Sequence, residues 1–346
     1  MKHSRNSGKA SNRLMVAGLT LLCGLGLMCG KETRANRMFV VNPADSSLSL
    51  VNLEDMKVER TITVGANPYY AAVSGDGSVV AVTIEDEDVI RYYDTKTLEQ
   101  TGEHKFGVMK SDHLMTLNDG SYAVMADNVG NAVVFLDFKT RDVAFRVENI
   151  SSPHNIQLGP SGKYLYVTSK VDPGISIIDI EKKELAKWIK TDVVPRGLTV
   201  SPDEKTLYYG ARWISGMFVQ DIATKDVRLI QLPLPHNATE MKSNTYHTFC
   251  AVNDSIIIGV NEGFSSADVI NISTNSLMDR FDDVSNPSTV SPIPGRSYAY
   301  VVTNFGDNTA KILVYNPEDH SLSLESQVQV GSIAGTRPKR VCFFNS

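Results

Sequence analysis

The sequence predicts an all-β fold, a seven-bladed propeller, and three observations lead to it. A polar turn recurs seven times at a nearly constant interval. A short strand opens each recurrence. The two ends of the chain each lack what the other carries. No segment sustains a helical periodicity.

The recurring turn follows an apolar strand that ends in Asp or Asn. It reads SLVNLEDMKV, RYYDTKTLEQ, VFLDFKTRDV, SIIDIEKKEL, FVQDIATKDV, DVINISTNSL and LVYNPEDHSL. The Asx residues are Asn52, Asp94, Asp137, Asp179, Asp221, Asn271 and Asn316, spaced 42, 43, 42, 42, 50 and 45 apart. A period of ~40–50 residues is that of a four-stranded propeller blade. The short Asx side chain accepts a backbone N–H a few residues on and closes a turn between antiparallel strands. These seven residues are therefore read as turn formers and not as metal ligands.

The opening strand reads NPYYAAVSGDG, SDHLMTLNDG, SPHNIQLGPSG, VPRGLTVSPDE, TYHTFCAVND, NPSTVSPIPG and RPKRVCFF. All but the last run into a Gly, Pro, Asp or Asn turn and then a second strand, such as SVVAVTI or KYLYVTS. Six repeats are complete: 65–106, 107–149, 150–191, 192–234, 235–283 and 284–330. The chain ends on an opening strand without a successor, and MFVVNPADSSLSLVNL near its start has successors without an opener. One fragment completes the other. Strand 338–344 is expected to pair with strand 37–42, sharing the seventh blade between the two ends and leaving no free edge. Residues 36–346 then form one domain, expected as a monomer.

The first 35 residues stand apart. Lys2, Arg5, Lys9 and Arg13 precede an apolar run from Leu14 to Cys29, which is short for a membrane span of roughly 20 residues. With Thr33-Arg34-Ala35 before Asn36, this is the layout of a secretory signal, and it predicts a periplasmic or secreted protein. A lipid anchor at Cys29 is the weaker variant, because Met28 is bulky. The whole chain carries a formal charge of −5, and without residues 1–35 it has 28 basic and 38 acidic side chains. That balance argues against nucleic acid and against anionic lipid as partners. Cys250 and Cys342 remain beyond the signal. They fall on opening strands of blades that are not neighbours, so they are expected to be unpaired. There is no Cys-x-x-Cys-His, which argues against covalent c-type haem.

Residues just before each opening strand converge on the channel mouth. Counting back from each turn gives Tyr69, His113, His154, Arg196, either Thr248 or its neighbour His247, then Ser288 and Lys339, with Arg337 and Arg340 flanking the last. Imidazoles, a guanidinium and an ammonium on one mouth predict a ligand-binding site of Tyr69, His113, His154, Arg196, His247, Arg337 and Lys339. An anion suits Arg196 and Lys339 with imidazole donors, and its binding is expected to tighten as pH falls through ~6.5. A transition metal would use His113, His154 and His247. General-base catalysis would use one of the histidines, but no nucleophile motif, Gly-rich phosphate loop or His-x-x-x-His accompanies them. Trp213 is a candidate aromatic contact for a ligand or partner. Residues 85–88, Glu-Asp-Glu-Asp, read as a solvated hairpin tip, and 235–245 as a longer loop over the mouth.

The stretches YVVTN at 300–304, YLYVTS at 164–169 and SPDEKTLYYG at 201–210 resemble the YVTN-type propeller repeat of YncE-like periplasmic proteins. The resemblance spans residues 37–346. It implies the propeller fold and a binding or scaffolding role for a small anionic ligand or a protein partner. The group includes a DNA-binding member and relatives within redox enzymes. SPHNIQLGPSGKYLYV also resembles a blade of the lactonase propellers, including 6-phosphogluconolactonase. The alternatives to a binding role are thus a lactonase-like hydrolase or an accessory subunit of a periplasmic redox complex. The residues name no cofactor.

Overall fold

The computed structural model describes residues 34–234, 246–331 and 338–345. The signal segment through Thr33, with Cys29, lies outside the described residues, as do the loop 235–245 and Arg337. Twenty-eight strands among the described residues form seven four-stranded antiparallel sheets, the blades of a propeller. In chain order, β1 (Arg37–Asn42), β2 (Ser47–Asn52) and β3 (Lys57–Thr63) come first. Six blades follow, whose opening strands are β4 (Pro68–Val73), β8 (Ser111–Thr116), β12 (Pro153–Leu158), β16 (Pro195–Val200), β20 (Tyr246–Ala251) and β24 (Pro287–Pro292). The last strand is β28 (Val341–Phe344).

The closure is the expected one. β28 pairs antiparallel with β1, with Phe39 opposite Cys342 and Arg37 opposite Phe344. Backbone bonds from Lys339 N to Val41 O (3.0 Å) and from Val41 N to Arg340 O (3.2 Å) extend the pairing. The Phe39 and Phe344 rings stack at 4.9 Å. All seven Asx residues close turns through backbone N–H groups, as in Lys96 N to Asp94 Oδ1 (2.9 Å) and Glu318 N to Asn316 Oδ1 (3.0 Å).

The apolar core is divided into seven seams, each between two neighbouring blades. One joins Phe39, Leu48 and Phe344 of the shared blade to Val80 and Val82 of the next. Another joins Met38 and Val40 to Val301 and Ile312 of the last. Five more complete the ring. Strands inside a blade are therefore buried on both faces, which is why they read as continuous apolar runs and not as clean alternations. β28 is the extreme case, since Phe344 and Cys342 serve one seam and Val341 and Phe343 the other. The outermost strands face water, and β3 is exposed over most of its length.

Cys250 and Cys342 form no disulfide among the described residues, as the blade assignment requires. Burial pushes both thiols up to about 12.

Six opening strands carry a register shift at their second or third residue. A bulge leaves a backbone N–H without a ladder partner. In two blades the threonine of the second strand fills that need. Thr83 Oγ1 accepts from Tyr70 N (3.0 Å), and Thr168 Oγ1 accepts from Asn155 N (3.0 Å). Thr168 also reaches across the seam, donating to Arg196 O (3.3 Å), and its counterpart Thr303 does the same to Lys339 O (3.1 Å). The threonine of the YVTN-like stretch thus holds the bulge and the neighbouring blade. Thr168→Val keeps the shape and removes the acceptor. It is expected to lower stability by about 1–3 kcal/mol, the cost of an unsatisfied buried donor. Chemical denaturation checks this, and an unchanged midpoint would contradict it.

Candidate functional site

The bulges set what faces the channel. The residue after the first position of each opening strand is Tyr69, Asp112, His154, Arg196, His247, Ser288 and, before β28, Lys339. All seven line one cavity of about 590 Å³ at the mouth. That volume falls within the ~300–1,000 Å³ of small-molecule sites. A second tier comes from the first residue beyond each second strand. Lys170, Arg212, Glu262 and Phe305 line the same cavity.

Five of the expected residues meet there: Tyr69, His154, Arg196, His247 and Lys339. His113 does not. The ring position of its blade is Asp112, one residue earlier. His113 sits one layer deeper, tilted against Tyr70 at 5.3 Å, and lines a separate cavity of about 730 Å³ toward the other end of the channel with Arg340. The signal that selects Asp112 is in the chain. Gly77, Gly120 and Gly162 each follow a ring residue by eight positions, and each adopts a positive φ of 69–73° in the matching turn. Trp213 is 61 % exposed and does not line the cavity, whereas its neighbour Arg212 does. The aromatic walls are Tyr69, Tyr70 and Phe305. Asp112, Lys170 and Arg212 escaped the sequence reading, although aligning the repeats on their turn glycines and second strands would have gathered them.

The charges are unevenly matched. Asp112 accepts from Lys170 Nζ (2.6 Å) and bonds to Asn128. Arg196 has no ion pair or side-chain hydrogen bond among the described residues. Burial, and Arg212 beside it, hold its guanidinium below the ordinary range. Lys339 Nζ stands 3.6 Å from the centre of the Tyr69 ring and 5.8 Å from that of Phe305. Burial lowers its ammonium to about 8. Glu85, close to Asp112, is raised to about 7 by burial.

The histidines are neutral. Burial drives His113 and His154 well below the ordinary imidazole value, with Arg340 and Arg196 the largest charges acting in the same sense. His247 falls to about 3 for the same reasons. The ligand-free site therefore lends no support to the expectation that anion binding tightens as pH falls through ~6.5, because burial keeps these rings from charging there. His154 and His247 lie 5.9 Å apart, ring to ring. Nδ1 of His154 is buried without a hydrogen-bond partner among the described residues. The structure does not bring His113, His154 and His247 together as metal ligands. Among the described residues no three His, Cys, Asp or Glu groups are arranged to hold a metal ion.

Neutral burial makes stability depend on pH. Each ring has an ordinary pKa of ~6.5 when unfolded. Below that value the unfolded chain binds protons that the folded chain refuses. Stability is lost as pH falls, at up to about 1.4 kcal/mol per pH unit for each ring. Glu85 has the opposite sign, since the fold favours its protonated form, and it offsets one ring over part of that range. The melting temperature is expected to fall from pH 7 to about 5, and less steeply in His113→Gln/His154→Gln. A melting temperature that stays level or rises on acidification would contradict the burial of these rings.

No family model and no curated protein matches the chain. Solved structures do. A protein of Bacteroides fragilis, provisionally assigned as a 6-phosphogluconolactonase, aligns with a TM-score of 0.68 at 16% identity, covering 91% of this chain and 99% of that one. The periplasmic gluconolactonase PpgL of Pseudomonas aeruginosa aligns at 0.65 and 15% identity, covering 89% and 98%. The dihydro-heme d1 dehydrogenase NirN aligns at 0.58 and 14% identity, covering 91% and 76%. At these identities the likeness shows the fold. No helix among the described residues is long and apolar enough to cross a membrane.

Proposed function

We propose that this chain is an exported YVTN-type propeller that binds a small anionic ligand at its channel mouth. One observation carries the reading. Arg196 lines a concave cavity, largely buried, and no carboxylate among the described residues pairs with it. Asp112 and Glu262 act on this guanidinium at longer range, and a bound anion in direct contact offsets the remaining cost of burying its charge. Its planar fork suits a carboxylate or phosphate. The lining cations are Lys170, Arg196, Arg212 and Lys339, against the acids Asp112 and Glu262. The cup is thus locally positive in a chain of net charge −5. Concavity favours a small ligand over a flat protein contact. Titration calorimetry of the purified chain with small carboxylates and with inorganic phosphate tests this. Saturable binding that Arg196→Met removes is expected, and no heat with any anion would refute it. Export rests on the basic flank and the apolar run 14–29, and a mature N-terminus near Asn36 would support it.

Lactonase-like hydrolysis is the second reading. It is favoured by His154, whose buried Nδ1 has no hydrogen-bond partner among the described residues and is left open to a substrate proton, although burial lowers the basicity of the ring. Two of the similar structures bear lactonase names. Release of acid from glucono-δ-lactone above the spontaneous rate, lost in His154→Gln, would favour it over simple binding.

A further inference from the structure

Resting on the anion reading of this cavity, we propose that the ligand carries two anionic groups, one held by Arg196 and the other by Lys339 at the opposite wall. Seven blades in a ring place the two cations as far apart as the ring allows. Arg196 lies on the β16 blade and Lys339 on the shared blade, with the β20 and β24 blades between them on one side and three blades on the other. The electrostatics agree with that separation. Arg196 is perturbed chiefly by burial and Arg212, and Lys339 by burial and Glu85. Both cations act on His247, which sits on a blade between them.

Each cation is left over from internal pairing. The lining acid Asp112 is taken by Lys170 and Asn128. Lys339 meets ring faces and forms no carboxylate pair among the described residues. A cation–π contact with a tyrosine orients an ammonium but brings no counter-charge. A monoanion at Arg196 would leave Lys339 with only the longer-range influence of Glu85, Glu262 and Asp112 against its burial. A linked dianion satisfies both, and its second contact is intramolecular once the first is made. The propeller fixes the distance between the walls, so the length of the ligand becomes the selective property. The neutral walls suit what lies between two charges: His154, His247 and Ser288 offer hydrogen bonds, and Tyr69 and Phe305 offer apolar faces.

The test is calorimetric titration of the whole chain, at pH 7, with two series matched in length. Succinate, glutarate, adipate, pimelate and suberate form one, and butyrate through octanoate the other. At least one dicarboxylate is expected to bind ~10-fold or more tighter than the monocarboxylate of its own length, which is about 1.4 kcal/mol. Lys339→Met should erase that advantage by weakening the dicarboxylates more than the monocarboxylates, while Arg196→Met should weaken both series. The wild-type comparison needs no variant to fold. Equal affinity of the two series overturns the two-anion ligand and leaves the anion site standing. Binding of neither series, nor of inorganic phosphate, overturns both readings.

Discussion

Deleting residues 338–346 is expected to abolish cooperative unfolding. The segment supplies the innermost strand of the shared blade, four register pairs to β1, and the stacked Phe344. It also contributes to two of the seven seams at once. Truncating one buried Phe typically costs about 3–5 kcal/mol, against a whole-domain stability of about 5–15 kcal/mol. The deletion removes Phe344, its neighbours and the ladder together, and exposes the edge of β1 to aggregation. Calorimetry should find no sharp transition, with soluble yield falling. A truncated protein that melts like the full chain would contradict the closure.

That closure was legible because the ends are complementary fragments of one repeat, and the seven Asx turns set the period without reference to depth. The site was only partly legible. Tyr69, His154, Arg196 and Lys339 could be counted because proline opens their strands or the turn lies at a fixed distance. The β8 blade opens with Ser111 instead of proline, and there the count slipped by one, choosing His113 over Asp112. In a bulged strand one residue decides whether a side chain faces the mouth or the next layer. The protonation of the histidines was not legible at all. A histidine in such a strand is spelled the same at an exposed mouth and in a buried one, and the depth of each imidazole, with Arg196 or Arg340 acting on it, sets its charge. The threonines were seen as part of a strand motif, but their contacts with the bulge and the adjacent blade join residues distant in sequence.

Arg196→Met is expected to weaken anion binding by about 2–5 kcal/mol, the range for truncating one partner of a buried charge pair. It should leave the melting temperature unchanged or raise it. The guanidinium makes no ion pair among the described residues, and burial disfavours its charge, so an apolar side chain of similar length relieves a cost of folding. The pairing of lost binding with kept or increased stability separates a ligand residue from a structural one. Calorimetric titration and thermal melting of the same preparation decide it. A variant that unfolds several degrees earlier and binds as before would make Arg196 structural.

A crystal structure of the chain with the tightest-binding carboxylate tests whether the mouth cavity holds an anion. Density for the ligand is expected between Arg196 and Lys339, with carboxylate oxygens on the Arg196 guanidinium. Density for the bound carboxylate at another surface, with Arg196 contacting only water, would contradict it.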